Sequence, residues 1–194
     1  LDQVRYVFAL LWLISFPILF FWIALHPFVA FWRRMGLAAT YTILVAGCVG
    51  LGAVLFALRG PLLAVEFGTG PLLWALTAGA YAVSVAFESR ARRHLRMGTL
   101  VGVPELRGAS APEALLTGGI YARVRHPRYV GATFGYVASA FFANYLFLWA
   151  ALPAFLLLLH SVVLLEEREL EKRFGGAWRD YAARVPRYVP RLGD

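Results

Sequence analysis

Long apolar stretches constrain this chain more than any other feature. A helix rises about 1.5 Å per residue and the hydrocarbon core of a bilayer is about 30 Å thick, so about 20 apolar residues read as one crossing. Five such spans are expected, at about residues 6–32, 36–58, 61–87, 129–142 and 145–165. Pro17 is expected to kink the first, and the third is expected to run on from Gly68-Thr69-Gly70-Pro71 or to start at Pro61. Ala143-Asn144 joins the last two as a tight helical hairpin. The expected fold is therefore an all-α integral membrane protein of about five transmembrane helices, forming one membrane domain over residues 1–194. The first stretch is expected to stay as a span. It has a weak basic start in Arg5, no small-residue cleavage site, and further spans behind it.

Composition agrees. Hydrophobic residues make up 60% and charged residues only 15%, against about 25% charged in soluble domains. The net charge of +8 raises the question of nucleic acid, and topology answers it. With five crossings, one side receives Arg33, Arg34, the eight arginines from Arg90 to Arg128, and the seven basic residues from Arg168 to Arg191. The other side receives Arg5 and Arg59. Basic residues concentrate on the cytosolic side of membrane proteins, so the charge is a topology signal and no nucleic-acid partner is expected. The same bias predicts a cell inner membrane location with the C-terminus cytosolic. Segments 88–128 and 166–194 then form a cytosolic C-terminal polar cap. A single cysteine, Cys48, excludes an intramolecular disulfide and a multi-cysteine metal site, and no metal is expected.

Chemistry concentrates in Thr117-Gly118-Gly119-Ile120-Tyr121-Ala122-Arg123-Val124-Arg125-His126-Pro127-Arg128-Tyr129-Val130-Gly131. The paired glycines allow a tight turn and close backbone approach to a ligand. Pro127 pushes His126 out of helical geometry and suits the first turn of the next helix. Free N–H groups at that helix start can hold a carboxylate, and Arg125 can clamp one through two hydrogen bonds. His126 and Tyr129 offer polar edges and aromatic faces to an adenosine. A second constellation, Glu166-Glu167, ends the last apolar span, where acidic side chains are costly unless they face a polar cavity or a partner. Neighbouring helical residues point about 100° apart. One glutamate is thus expected to face the bundle and the other to pair with an arginine. His160 lies two turns before Glu167 and either lines the same cavity or bonds a neighbouring carbonyl. Residues 166–185 read as an amphipathic helix with Leu170, Phe174, Trp178 and Tyr181 on one face, and Arg184 and Arg187 follow as candidates to approach a cofactor or lipid headgroups.

The string Gly-x-Tyr…Arg-His-Pro-x-Tyr-x-Gly, the hairpin, the Glu-Glu pair and the Phe-Gly…Tyr…Pro tail resemble the isoprenylcysteine carboxyl methyltransferase and phospholipid methyltransferase family. The resemblance covers about Leu116 to Pro190, and the first three spans carry no motif of that family. It implies S-adenosylmethionine as cofactor, bound by Gly119, Ile120, Tyr121, Arg125, His126, Pro127, Tyr129, Gly131 and Glu167. It implies catalytic roles for Glu166, Glu167 and Arg125, and methyl transfer to a lipophilic or amphiphilic acceptor that enters from the membrane. The acceptor is an isoprenylcysteine-like carboxylate, a phospholipid amine or a hydrophobic thiol, and membrane lipids are the expected surroundings. Steroid- and sterol-type membrane reductases that use NADPH share an Arg-His-Pro-x-Tyr string. Their proline is typically followed by Asn, where this chain has Arg128, and their acidic motif carries Asp and Cys, where it reads Glu166-Glu167-Arg168-Glu169. A non-catalytic membrane protein is the remaining alternative, and binding of neither cofactor would mark it.

Overall fold

The computed structural model describes residues 1–93 and 114–190. The part of the expected cytosolic segments at 94–113 and 191–194, with Arg96, Arg107 and Arg191 of the charge tally, lies outside the described residues. The described residues are helical, with one isolated bridge between Glu66 and Tyr145. In chain order the helices are α1 (Asp2–Ser15), α2 (Ile18–Leu25), α3 (Val29–Met35), α4 (Leu37–Ala57), α5 (Arg59–Leu62) and α6 (Pro71–Arg92). After a 3-10 turn at Gly119–Ala122 come α7 (Pro127–Ala143), α8 (Leu146–Phe174) and α9 (Gly176–Arg184).

Four helical segments are long and apolar enough to cross a membrane: Asp2–Leu25, Leu37–Ala57, Pro71–Arg92 and Leu146–Phe174. The remaining expected span is α7, whose 17 residues rise about 25 Å at 1.5 Å each. The first expected span is divided into three helices. α1 stops before Pro17, whose ring removes a helical hydrogen bond, and α2 stops at His26-Pro27. The third starts at Pro71, because the residues before it form the short α5 and a loop. The amphipathic helix expected over 166–185 is also divided. α8 runs through the acidic pair to Phe174, and Gly175 separates it from α9. An uninterrupted apolar-to-polar transition on one helix reads in sequence like two helices, whereas the actual break falls at the glycine pair.

α7 packs most extensively against α6, and the two run antiparallel. Ser84 Oγ donates to the Gly131 carbonyl oxygen at 2.8 Å, and a Cβ built on Gly131 would meet Glu88 Cγ at 3.0 Å and the Ser84 carbonyl oxygen at 3.3 Å. Small residues let helix backbones approach this closely in lipid, where apolar surface alone gives no drive to associate. Inside the bundle, Tyr136 lies between Trp12 and Phe155, with ring centroids at 4.7 and 4.4 Å, and its hydroxyl donates to the Leu148 carbonyl oxygen at 2.9 Å. That bond satisfies a buried phenol and ties both arms of the α7–α8 hairpin together.

Arg5 locks the end of the bundle at which the hairpin turns. It is 1% exposed. Its guanidinium donates to the carbonyl oxygens of Phe142 at 3.3 Å and Ala143 at 2.8 Å, the open end of α7, and pairs with Glu66 and Asp2. Tyr145 Oη donates to Glu66 at 3.2 Å, Phe67 N–H to the Asn144 carbonyl oxygen, and Leu146 N–H to that of Val65. Asn144 makes the turn in the left-handed conformation, φ 53°, which Asn tolerates better than most residues. One cation therefore joins α1, the loop before α6 and the α7–α8 turn. Arg5→Met leaves the carbonyls of Phe142 and Ala143 without this donor and takes the cation from Glu66, which keeps the Tyr145 hydroxyl. It is expected to destabilise by about 1–3 kcal/mol, read as a lower midpoint of thermal unfolding in detergent than the wild type.

Candidate active site

At the opposite end of the bundle from Arg5, three segments distant in sequence close around one carboxylate. Pro127 starts α7 and leaves His126 outside the helix, at φ −122° and ψ 60°. The loop before it is held by the tail. Arg125 N–H donates to the Pro186 carbonyl oxygen at 2.9 Å and His126 N–H to that of Arg187 at 3.2 Å. Tyr181 Oη, on α9, donates to the Tyr121 carbonyl oxygen at 2.7 Å. α9 is anchored by Trp178, Tyr181 and Val185, which pack with Leu115, Leu170 and Phe174. Gly119 opens the 3-10 turn at φ 60°, a conformation that glycine adopts without strain.

Glu167 is the carboxylate, 9% exposed on α8. It accepts from His126 Nε2 at 3.0 Å and from Arg187 at two points, Nε to Oε1 at 2.9 Å and Nη2 to Oε2 at 2.7 Å. Arg125 Nη1 lies 3.2 Å from Oε1, and the Arg125 guanidinium sits 5.7 Å from the Trp178 ring centroid. Burial works to raise the Glu167 pKa. The hydrogen bonds from His126 and Arg187, with the Arg125 charge, outweigh it and hold the carboxyl at about 2. The group lies past the apolar run that ends at Leu165. Arg187 is correspondingly raised, first by its hydrogen bond to Glu167. Burial pushes Tyr121 upward and Tyr181 to about 12, so both phenols stay neutral.

Beside this cluster lies a cavity of about 270 Å³. Of the residues expected at the site, Tyr121, Arg125, His126, Pro127, Tyr129 and Glu166 line it. Gly119, Ile120, Gly131 and Glu167 do not: Gly131 serves the α6–α7 contact, and Glu167 lies behind the wall, holding Arg125 and His126 in place. The acidic pair thus divides as its helical geometry requires, Glu166 to the cavity and Glu167 to the arginines. Four buried side-chain atoms on the cavity-lining residues have no hydrogen-bond partner among the described residues: His26 Nδ1, Arg125 Nε, Arg128 Nε and Glu166 Oε2. Buried polar atoms are costly when unpaired, and this set offers both signs of charge. Aromatic rings of Trp22, Tyr121, Tyr129, Trp178 and Tyr181 complete the lining.

His160 does not reach this cavity. Its Nδ1 is 2.6 Å from Tyr188 Oη, and both line a second cavity of about 590 Å³ that shares Tyr129 and Leu159 with the first. Two helical turns keep His160 on nearly the face of Glu167 and set it about 10 Å further along the helix, which accounts for the separation. Arg187 enters the site, whereas Arg184 bonds the Asp180 carbonyl oxygen at the surface. Sequence reasoning treated Trp178 and Tyr181 as packing residues and missed their cavity faces. It missed His26 and Glu88 altogether, because neither sits in a motif, and it gave Glu169 of the acidic string no place at the site.

The fold is that of an all-α membrane protein, with a ligand-sized cavity lined by charged and aromatic side chains. The family model for phospholipid methyltransferase matches residues 72–177, more than half of the chain, and the chain belongs to that family of methyltransferases. No curated protein and no solved structure matches it.

Glu167 ties the loop, α8 and the tail together, so Glu167→Gln is expected to destabilise by about 3 kcal/mol, as loss of one partner of a buried ion cluster does. The depressed pKa adds a pH signature. The Glu167 contribution is fully present above the ordinary carboxylate value of 4.5 and is lost as pH falls from there through about 2. Thermal unfolding in detergent at stepped pH should show that acid-side loss in the wild type and a flatter profile in the variant.

Proposed function

We propose that the protein transfers a methyl group from S-adenosylmethionine to a lipophilic or amphiphilic acceptor in the membrane. The observation that carries the reading is the convergence of the Arg-His-Pro loop, α8 and the tail on a cavity with unpaired buried atoms of both charges. Such a set suits a ligand carrying a carboxylate, an ammonium and hydroxyls on one molecule. Arg125 and Arg128 would hold the carboxylate, Glu166 the ammonium or the ribose hydroxyls, and Tyr121, Tyr129 and Trp178 would flank the base. When bound, S-adenosylmethionine supplies a methyl group on a sulfonium, which a nucleophile takes by in-line displacement.

Displacement of this kind asks the protein for alignment and dryness more than for covalent help. Glu167 serves it as a positioning residue, fixing Arg125 and His126 through the contacts described above. Glu166 carries its carboxylate into the cavity itself. The second cavity, lined by Val83, Phe87, Phe134 and Leu156 among others, adjoins the first at Tyr129 and Leu159. That arrangement suits an acceptor whose reactive group is polar and whose body is hydrocarbon, and the family's phospholipid substrates have this form.

The test is ligand stabilisation in detergent followed by transfer of label. S-adenosylmethionine or its demethylated product at about 100 times its dissociation constant should stabilise the protein by about 2.7 kcal/mol, and NADPH should not. Arg128→Met should weaken that binding at least tenfold, the loss of one charge-assisted hydrogen bond of about 1.5–3 kcal/mol. Membranes incubated with methyl-labelled S-adenosylmethionine should yield labelled lipid by mass spectrometry. Stabilisation by NADPH alone would replace the reading with a reductase, and response to neither ligand would remove it.

A further inference from the structure

The N-terminal segment that precedes the family match contributes to the same cavity. α2 ends at Leu25, its cap residue His26 stands before Pro27, and His26 lines the cavity together with Ile18, Leu19 and Trp22. The imidazole lies over the Trp22 ring, with centroids 5.7 Å apart and planes at 25°. Its Nδ1 is buried and has no hydrogen-bond partner among the described residues. Glu166, on the same cavity, has a buried Oε2 that likewise lacks a hydrogen-bond partner among the described residues and lies 3.8 Å from His126 Nδ1. Two polar atoms without hydrogen bonds, one on a base and one on an acid, thus border the space between the family motif and a segment without motif.

We propose that His26 is the proton acceptor of the reaction, taking at Nδ1 the proton that the methyl acceptor must lose. This rests on the methyl-transfer reading above and adds a residue to it. It applies to an acceptor that carries a proton on its nucleophilic atom, such as an ammonium or thiol. The nucleophile's proton passes to Nδ1. Its freed electron pair forms the bond to the methyl carbon, and the carbon–sulfur bond breaks with its electrons left on sulfur. Imidazolium then returns the proton to water. A carboxylate acceptor has no proton to lose and makes no use of His26.

The surroundings agree with this role. Burial lowers the His26 pKa below 6.5, while Glu166 and Glu169 on α8 pull it upward. The ring is neutral at neutral pH and its imidazolium has carboxylates close by. The other charged groups lining the cavity are Glu88 on α6, Arg173 on α8, and Arg125, His126 and Arg128 around the start of α7; on α3, Arg33 pairs with Glu169 at 3.8 Å. His126 is bonded to Glu167 and is not a free base.

Methyl-labelled S-adenosylmethionine supplied with phosphatidylethanolamine, dodecylamine, dodecanethiol or dodecanoic acid in mixed micelles tests the proposal. The wild type should methylate a proton-bearing probe, with kcat/KM falling as pH drops through an inflection below 6.5. His26→Asn keeps a polar atom near Nδ1 but is no base. It should lose about 10²–10⁴-fold in kcat, lack the acid limb, and bind S-adenosylmethionine within threefold of the wild type. His26→Ala should regain turnover with added imidazole. An unchanged kcat or retained acid limb in His26→Asn overturns the proposal, as does methylation of dodecanoic acid alone or of no probe by a wild type that binds the donor. Loss of donor affinity in both variants would make His26 a structural residue. Failure of the wild type to bind S-adenosylmethionine would instead sink the methyl-transfer reading.

Discussion

Glu167 is the contact on which the working end of this protein depends. A carboxylate buried at the end of a membrane helix is costly to desolvate, and here it is met by His126, Arg187 and Arg125 together. The charge on α8 joins the loop before α7 to the tail after α9, beside the apolar packing of Trp178, Tyr181 and Val185. Removing the charge leaves cations without a counter-ion and segments without an anchor, so stability and site geometry fail as one.

The opposite end is organised by the same physics with the signs reversed. There the buried charge is Arg5, and the acceptors are the open carbonyls of α7 and the Glu66 carboxylate. Helix ends leave backbone groups unsatisfied, and a guanidinium with five donors satisfies several at once. Between the two ends, close α6–α7 contact at Gly131 and the Trp12–Tyr136–Phe155 stack fill the bundle. Each end of the bundle is thereby closed by one ion surrounded by opposite charge or dipoles, while most of the exposed surface in between is apolar, as lipid requires.

Helical class and membrane character were legible from the length of the apolar runs, and so was the kink at Pro17. The family was legible because Gly-x-Tyr…Arg-His-Pro-x-Tyr-x-Gly is dense and local. Boundaries were less so. Residues 61–70 are apolar enough to join a span, yet the loop pairs with Asn144 and Leu146, a contact across some 80 residues. Helical angle predicted that Glu166 and Glu167 would part ways, but not which one met the arginines. Seven-residue spacing put His160 on the face of Glu167, and the depth of the cavity, which spacing does not encode, left it with Tyr188 instead.

Hydropathy and motif are properties of short stretches, so the sequence by itself determined that the chain lies in a membrane, that it is helical, and which family it joins. Tertiary structure decided everything that depends on segments meeting. It set Glu167 behind the cavity and Glu166 at it, brought Arg187 back from the tail, and seated Gly131 against Ser84 and Glu88 of α6. It also carried His26 to the cavity from a segment with no motif. The reason is one of range. A lone histidine after an apolar helix has the same local appearance wherever the helix packs, and only the packing of α2 on α8 brings it to the cavity that Glu166 also lines.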